Sequence, residues 1–362
     1  MNKMGFGFLR LPQLDGGKID GPLLNQMVDA FLERGGVYFD TAYTYLDGQS
    51  EAALRNALVK RHPRNQFQIA DKLPSWMVRS AQDCQRYFDE QRNRCGVDYF
   101  DVYLLHWLNQ QNYEICERYD EFAFLRAMKA QGKVGKIGFS YHDSAALLDE
   151  ILIAHPETEI VQLQLNYLDW DSAAIEGRKC YEVAVKHGKS IVVMEPIKGG
   201  TLTKLPQKAE ELFQAYSSDS PARWALRFVQ SLSQVNLVLS GMSSLEQVIE
   251  NMEDVEPLTE LEQSIVQQAA RIIEEETAIA CTGCRYCTAV CPKGIPIPDF
   301  FAMYNAYRRD PGEDWKIRPI YQRLSAERTR ASDCIQCRQC ESHCPQRLMI
   351  ASYLKEVANA FE

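Results

Sequence analysis

Eight short apolar runs alternate with amphipathic stretches over the first 275 residues, and few architectures accept that rhythm. The runs are Met4–Leu9, Val37–Asp40, Phe67–Lys72, Asp101–His106, Lys136–Ser140, Ile160–Leu165, Ser190–Met194 and Asn236–Ser240. Segments such as YFDVYLLHW and IVVMEP are apolar on both faces, as suits parallel strands covered by helices. Between the runs, Pro22–Arg34 places Leu23, Leu24, Met27, Val28, Phe31 and Leu32 near one helical face, with Gly35 and Gly36 as the stop. Ser50 is the expected N-cap of a helix over Glu51–Lys60. Eight such units predict a (β/α)8 TIM barrel, with an open doubly wound sheet as the alternative.

The chain has 362 residues, 46% of them hydrophobic and 25% charged, which is enough apolar material for a large core and excludes a wholly disordered chain. The net charge of −9 argues against non-specific nucleic-acid binding as the main activity. Met1–Pro12 has too short an apolar run for a signal peptide and no small-residue cleavage site. The chain also lacks an apolar stretch of about 18 residues, so no membrane span and a cytoplasmic location are expected.

In a barrel of this kind, chemistry sits where strands end. The second run ends in Asp40, with Tyr45 on the following loop; Lys72 closes the third and His106 the fourth. These four types suit carbonyl reduction. Hydride delivery to a carbonyl carbon leaves charge on oxygen, which needs a proton donor. A tyrosine titrating near 10 is a poor acid at neutral pH, and a lysine cation beside it stabilises the phenolate. A carboxylate holds the lysine, and the histidine orients the carbonyl oxygen. Any one of these residues alone reads as an ordinary structural pair; four at consecutive strand ends do not.

The segments GGVYFDTAYTYLDGQSE (Gly35–Glu51), IADKLP (Ile69–Pro74) and DVYLLHW (Asp101–Trp107) resemble the aldo-keto reductase superfamily. The resemblance continues through GFSYHDS (Gly138–Ser144), QLQLNY (Gln162–Tyr167), MEPIKGG (Met194–Gly200) and SGMSSLEQVIENM (Ser240–Met252). It favours the barrel and implies a catalytic tetrad of Asp40, Tyr45, Lys72 and His106. It also implies a nicotinamide cofactor extended across the strand ends. Ser140 and Gln164 then reach the carboxamide, in segments that include His142, Met194 and Pro196. The Lys198–Gly199–Gly200 loop and the Gly241–Met242–Ser243 turn lie along the phosphates, with Gln247, Glu250 and Asn251 toward the adenine end. Three departures stand out. Tyr141 follows Ser140 where asparagine is usual. Met194 replaces the stacking aromatic. Gly241 and Gln247 stand where cations usually grip the 2′-phosphate of NADP. NADP, NAD and a flavin in the same pocket all stay open.

Eight of the twelve cysteines fall in two identical runs, each C-x2-C-x2-C-x3-C followed by proline: Cys281, Cys284, Cys287 and Cys291, then Cys334, Cys337, Cys340 and Cys344. This is the ferredoxin pattern for two [4Fe–4S] clusters, in which the fourth cysteine of each run serves the other cluster. The expected sets are Cys281, Cys284, Cys287 with Cys344, and Cys334, Cys337, Cys340 with Cys291. Structural zinc, the alternative, prefers separated C-x2-C pairs. The single cysteines Cys84, Cys95, Cys116 and Cys180 read as buried small hydrophobes or idle thiols.

The spacer Pro292–Asp333 holds PDFFAMYNAYRRD and IRPIYQRLSAERTRASD, both helical in pattern, so a mainly helical ferredoxin-like domain over 276–362 is expected after a barrel over 1–275. The linker runs from Glu253 to Ala280 and includes a helix at Glu260–Glu276. Residues 276–362 carry 12 Lys and Arg against 10 Asp and Glu, so the acidity lies in the barrel half. A ferredoxin-like electron carrier is one expected partner, a small carbonyl or alcohol substrate the other. Nicotinamide moves electrons in pairs and clusters move them singly, which leaves three ways to join the halves. The clusters are structural or redox-sensing beside an ordinary reductase, or they feed a two-electron converter, or the barrel is a docking module without activity.

Overall fold

The computed structural model describes residues 3–309, 314–327 and 329–362. Among them, eight parallel strands close into a barrel in sequence order. They are β1 (Met4–Gly7), β2 (Tyr38–Asp40), β3 (Gln68–Leu73), β4 (Phe100–Leu108), β5 (Val134–Tyr141), β6 (Ile160–Gln164), β7 (Ser190–Met194) and β8 (Val235–Gly241). Each overlaps the run predicted for it. Closure is set by β1, whose Gly5 pairs with Tyr38 of β2 on one side and Leu239 of β8 on the other. The open sheet is thereby excluded.

The barrel interior is packed by Tyr38, Ala70, Val102, Leu104, Ile160, Val192 and Leu239, contributed by six strands. Close strand approach demands glycine at Gly138, where a Cβ would lie 2.0 Å from the Ile160 carbonyl oxygen. The first helix, Gly21–Glu33, starts at Asp20, whose carboxylate accepts from the Leu23 N–H at 3.1 Å, and it buries Leu24, Met27, Val28 and Phe31. Leu23 and Leu32 stay half-buried at the edge of that face.

Ser50 does not cap its helix. The cap position is Gln49, and Ser50 opens the helix Ser50–Leu54, which continues as a π-turn over Arg55–Val59. The Ser50 hydroxyl donates to the Phe8 carbonyl at 2.9 Å and bonds the Thr41 hydroxyl at 2.8 Å. A tertiary tie between the segments after β1 and β2 has taken the oxygen that a cap would use.

The chain divides into two compact units. The first comprises Met1–Asp171, Glu176–Pro196 and Ala225–Leu258, and contains all eight strands. The second comprises Ser172–Ile175, Ile197–Trp224 and Thr259–Glu362. Its long helix, Glu260–Glu276, falls where the sequence places it and opens with a reciprocal Thr259–Glu262 capping box. Three further helices, Ile297–Arg309, Asp314–Glu327 and Ile350–Phe361, enclose a core of Phe300, Phe301, Tyr304, Tyr321, Leu354 and Phe361. Tyr321 stacks between Phe300 at 4.8 Å and Phe361 at 5.0 Å. Of the helical pattern read over 317–333, the described residues to Glu327 are helical, residue 328 lies outside the described residues, and a short 3-10 turn, Ala331–Asp333, leads into the second cysteine run. No helix among the described residues is long and apolar enough to cross a membrane.

Candidate active site and candidate metal centres

In the first unit, the ends of β2, β3 and β4 bring the four expected residues together. Lys72 is fully buried, and its Nζ donates to Asp40 Oδ1 at 2.6 Å and to the Thr41 carbonyl at 2.7 Å. The same Nζ lies 4.9 Å over the Tyr45 ring, and the Tyr45 and His106 rings meet edge-on at 5.7 Å. Tyr45 sits on a turn whose next two residues, Leu46 and Asp47, have φ of 51° and 54°. That left-handed pair turns the chain back immediately after the phenol.

Electrostatics divide the roles. Burial raises the Tyr45 phenol well above its ordinary value, and the carboxylates of Asp40, Asp71 and Glu195 push the same way. It rests as the protonated phenol, the form that can give a proton. Burial, then the Lys72 and His142 charges, holds His106 well below its ordinary value, so it rests as neutral imidazole. Asp40 is raised by burial and opposed by Lys72. Behind Lys72, Asp71 and Glu51 form a second buried acid pair. Asp71 accepts from the Lys72 N–H at 2.8 Å and from Gln91 at 2.7 Å, and Arg94 donates to Glu51 at 3.1 Å. Burial and then the Glu51 charge raise Asp71 well above the usual carboxylate range.

Of the aromatic residues available for a pocket, two line this site. Trp76 lies 5.1 Å from His106 and 5.6 Å from Trp107. Trp107 has φ of 62°, a strained value for an aromatic residue, at a break in the β4–β5 register. It is held there by its N–H donating to Ser140 Oγ at 2.7 Å and its carbonyl accepting from Asn112 at 2.6 Å. Tyr43, Tyr141 and Trp170 are used elsewhere. Tyr43 donates to Glu90, Tyr141 donates to the Ser144 carbonyl, and Trp170 packs on Tyr181 and Phe228.

The residues expected along a nicotinamide are each placed. Ser140 accepts from Trp107 and keeps its own hydrogen to donate. The His142 ring lies 6.1 Å from Trp107. The Gln164 amide donates to Asp169 at 2.8 Å. Met194 closes β7 and Pro196 is buried just beyond it. After β8, Gly241 and Ser243 are exposed, Met242 is buried, and Gln247 accepts from the Ser243 N–H at 2.8 Å. Glu250 is half-buried, and buried Asn251 donates to Ser240 at 3.1 Å. His106 Nδ1 and Gln162 Oε1, both buried, lack hydrogen-bond partners, which fits strand ends shaped for a polar ligand. Pattern reading missed Arg10 and Glu195. Their side chains approach to 3.9 Å, and Arg10 lies against Gly241, where a Cβ would sit 3.2 Å from its own Cβ. Arg10 adds a cation beside the turn that seemed to lack one. Lys198, Gly199 and Gly200 belong to the second unit.

In that second unit, two cavities take four thiols apiece. One is lined by Cys281, Cys284, Cys287 and Cys344, the other by Cys291, Cys334, Cys337 and Cys340. The loops repeat one conformation. Left-handed backbone occurs at Gly283, Arg285 and Gly294 in the first run, and at Gln336, Arg338 and Arg347 at the same spacing in the second. Four of these six residues are not glycine, so the strain is accepted to bend the chain around something. Burial pushes the Cys287 thiol up to about 12 and Cys340 to about 11. Such thiols ionise only against a bound cation. An all-sulfur donor set in an apolar wall, including Ile297, Phe301 and Leu354, fits iron–sulfur clusters. The single cysteines are all buried, and three are not idle: Cys95 donates to Asp71, Cys116 to Glu121 and Cys180 to the Asp143 carbonyl.

Comparison with known proteins agrees with both halves. Residues 3–272 match the aldo/keto reductase family and residues 280–349 match a 4Fe-4S dicluster domain. An aldo-keto reductase of Mycolicibacterium vanbaalenii is 28% identical over 242 residues, covering 66% of this chain and 79% of its own. The NADH-specific methylglyoxal reductase of Escherichia coli is 23% identical over 324 residues, covering 76% of this chain and 96% of its own. The crystal structure of a Klebsiella pneumoniae aldo/keto reductase in complex with NADP and acetate superposes with a TM-score of 0.58 at 20% identity, covering 75% of this chain and 91% of that one.

Proposed function

Because the chain belongs to the aldo-keto reductase family, we propose that it interconverts a small carbonyl compound and its alcohol, with Tyr45 as the general acid in reduction and general base in oxidation. The observation that carries this reading is the Asp40-paired Lys72 Nζ set 4.9 Å from the Tyr45 ring, with the His106 ring 5.7 Å from the same ring. Asp40 and the Thr41 carbonyl hold the lysine, whose cation stabilises the phenolate left when the proton is given up. Neutral His106 donates a hydrogen bond to the carbonyl oxygen and fixes its direction. Trp76 and Trp107 supply an aromatic wall that excludes water and favours an apolar or aromatic substrate face. A bound nicotinamide supplies the hydride. In the first unit Ser140, His142, Gln164, Met194, Pro196, Gly241, Met242, Ser243, Gln247, Glu250 and Asn251 would hold it. Arg10 beside Gly241 is a further candidate for its phosphates.

The second module, 276–362, carries two [4Fe–4S] clusters with crossed ligation, a reading supported by the four thiols that line each cavity. It links the barrel to a one-electron carrier of the ferredoxin type. Both modules work in a reducing, cytoplasmic setting, where eight clustered thiols stay available for iron.

The test is an anaerobic titration with NADPH and then NADH, read by visible absorbance and cluster EPR, alongside turnover of a carbonyl panel. Tyr45→Phe should abolish turnover with iron content unchanged. Undiminished turnover in that variant would defeat the acid–base assignment. Cluster reduction by either nucleotide would require a two-electron to one-electron converter on the protein.

A further inference from the structure

Within the second unit, a lysine far from the cysteine runs in sequence is tied to one of them. Lys198 is only 2% exposed, and its Nζ donates to Gln346 Oε1 at 3.0 Å across 148 residues of chain. The backbone carrying it is unusual: Lys198, Gly199 and Gly200 have φ of 45°, 65° and 95°. A lysine held at positive φ costs free energy, so the bond it reaches is built in rather than incidental. Gln346 lines the cavity of Cys281, Cys284, Cys287 and Cys344. It follows Cys344 by two residues, in a turn closed by the Arg347 N–H donating to the Cys344 carbonyl at 3.0 Å. Arg347 is anchored in turn, its guanidinium donating to the Ala174 carbonyl at 3.0 Å.

We propose that Lys198 is a positioning and charge-setting residue for the cluster in this cavity, acting through Gln346, and not a phosphate ligand of a dinucleotide. Nearby positive charge raises a cluster's reduction potential, because the reduced cluster is the more negative. The Lys198–Gln346 bond brings the charge to the cavity wall and fixes the segment that follows Cys344. The proposal rests on the cluster reading given above. Iron counted on the unaltered protein tests that reading by itself, and absence of iron would end both.

The experiment is EPR-monitored potentiometry of the full chain with Lys198→Met, Lys198→Arg and Gln346→Glu, with NADPH and NADH affinity measured on the same samples. At a fixed potential, Lys198→Met should lower the reduced-to-oxidised ratio of this one cluster by at least about threefold, leaving the other cluster unchanged. Lys198→Arg, which keeps the charge, should restore most of the ratio. Gln346→Glu, which places a negative charge beside the lysine, should lower the ratio as Lys198→Met does and serves if that variant assembles poorly. Nucleotide affinity should change less than about twofold throughout. Unchanged cluster potentials in Lys198→Met and Gln346→Glu would overturn the proposal. So would a tenfold loss of NADPH affinity in Lys198→Met, which would return the lysine to the phosphates.

Discussion

Lys72 Nζ lies 2.6 Å from Asp40 Oδ1 in an ion pair with essentially no solvent contact. A buried pair contributes little net stability while whole, but losing one member strands the other charge, at a cost of about 3–5 kcal/mol. Lys72→Met should therefore unfold at markedly lower urea, and its turnover should fall by about a hundredfold or more. Lys72→Met combined with Asp40→Asn should regain stability without regaining turnover. Equilibrium denaturation and steady-state kinetics on the parent and the two variants check both halves.

The raised Tyr45 and lowered His106 predict opposite pH profiles for the two directions. Carbonyl reduction uses the phenol and neutral imidazole, both present through the neutral range, so its rate should stay flat from about pH 6.5 to 9. Alcohol oxidation needs the phenolate and should climb with pH to the alkaline end. A bell-shaped reduction profile centred near neutrality would contradict this.

His106 also links folding to pH. Its folded-state value lies below the unfolded one near 6.5, so the unfolded chain binds the extra proton first. Stability from this group is present above about pH 6.5 and is lost below it, by up to about 1.4 kcal/mol per pH unit. His106→Gln should remove that acid slope in urea titrations at pH 7, 6 and 5.

Asp71 shifts the opposite way. Burial and then Glu51 raise it, so the folded state holds a proton that the unfolded state releases. Its contribution is present at acid pH and fades as pH rises through the raised value. Asp71→Asn, which keeps a neutral side chain, should be relatively more stable at pH 9 than at pH 5 compared with the parent. The reverse order would mean that the pair is not sharing a proton.

Crossed thiols make a prediction about iron. Cys344→Ala should deplete the cluster headed by Cys281, and Cys291→Ala the one headed by Cys334, each resolved by EPR and iron analysis. Loss confined to the cluster of the variant's own run would reverse the ligand sets.

Much of this was legible from local pattern. The β4 run announced itself because a parallel strand is apolar on both faces, and its end located His106. The 4Fe-4S dicluster domain was legible because triple C-x2-C spacing is a local property of the chain. What escaped depends on distance in space. Ser50 looked like a cap because its long-range partners, Phe8 and Thr41, leave no trace in its neighbours. Tyr43 and Tyr141 are likewise tied by their hydroxyls, to Glu90 and the Ser144 carbonyl. The Lys198–Gln346 bond, too, leaves no trace in the residues beside Lys198.

The exchange of one thiol between the two cysteine runs has a consequence for biogenesis. Neither cavity has its fourth thiol until the opposite run has been synthesised and folded back. Under the crossed ligation proposed above, iron delivered to the nascent first run would meet only three thiols, and maturation would be a single late event.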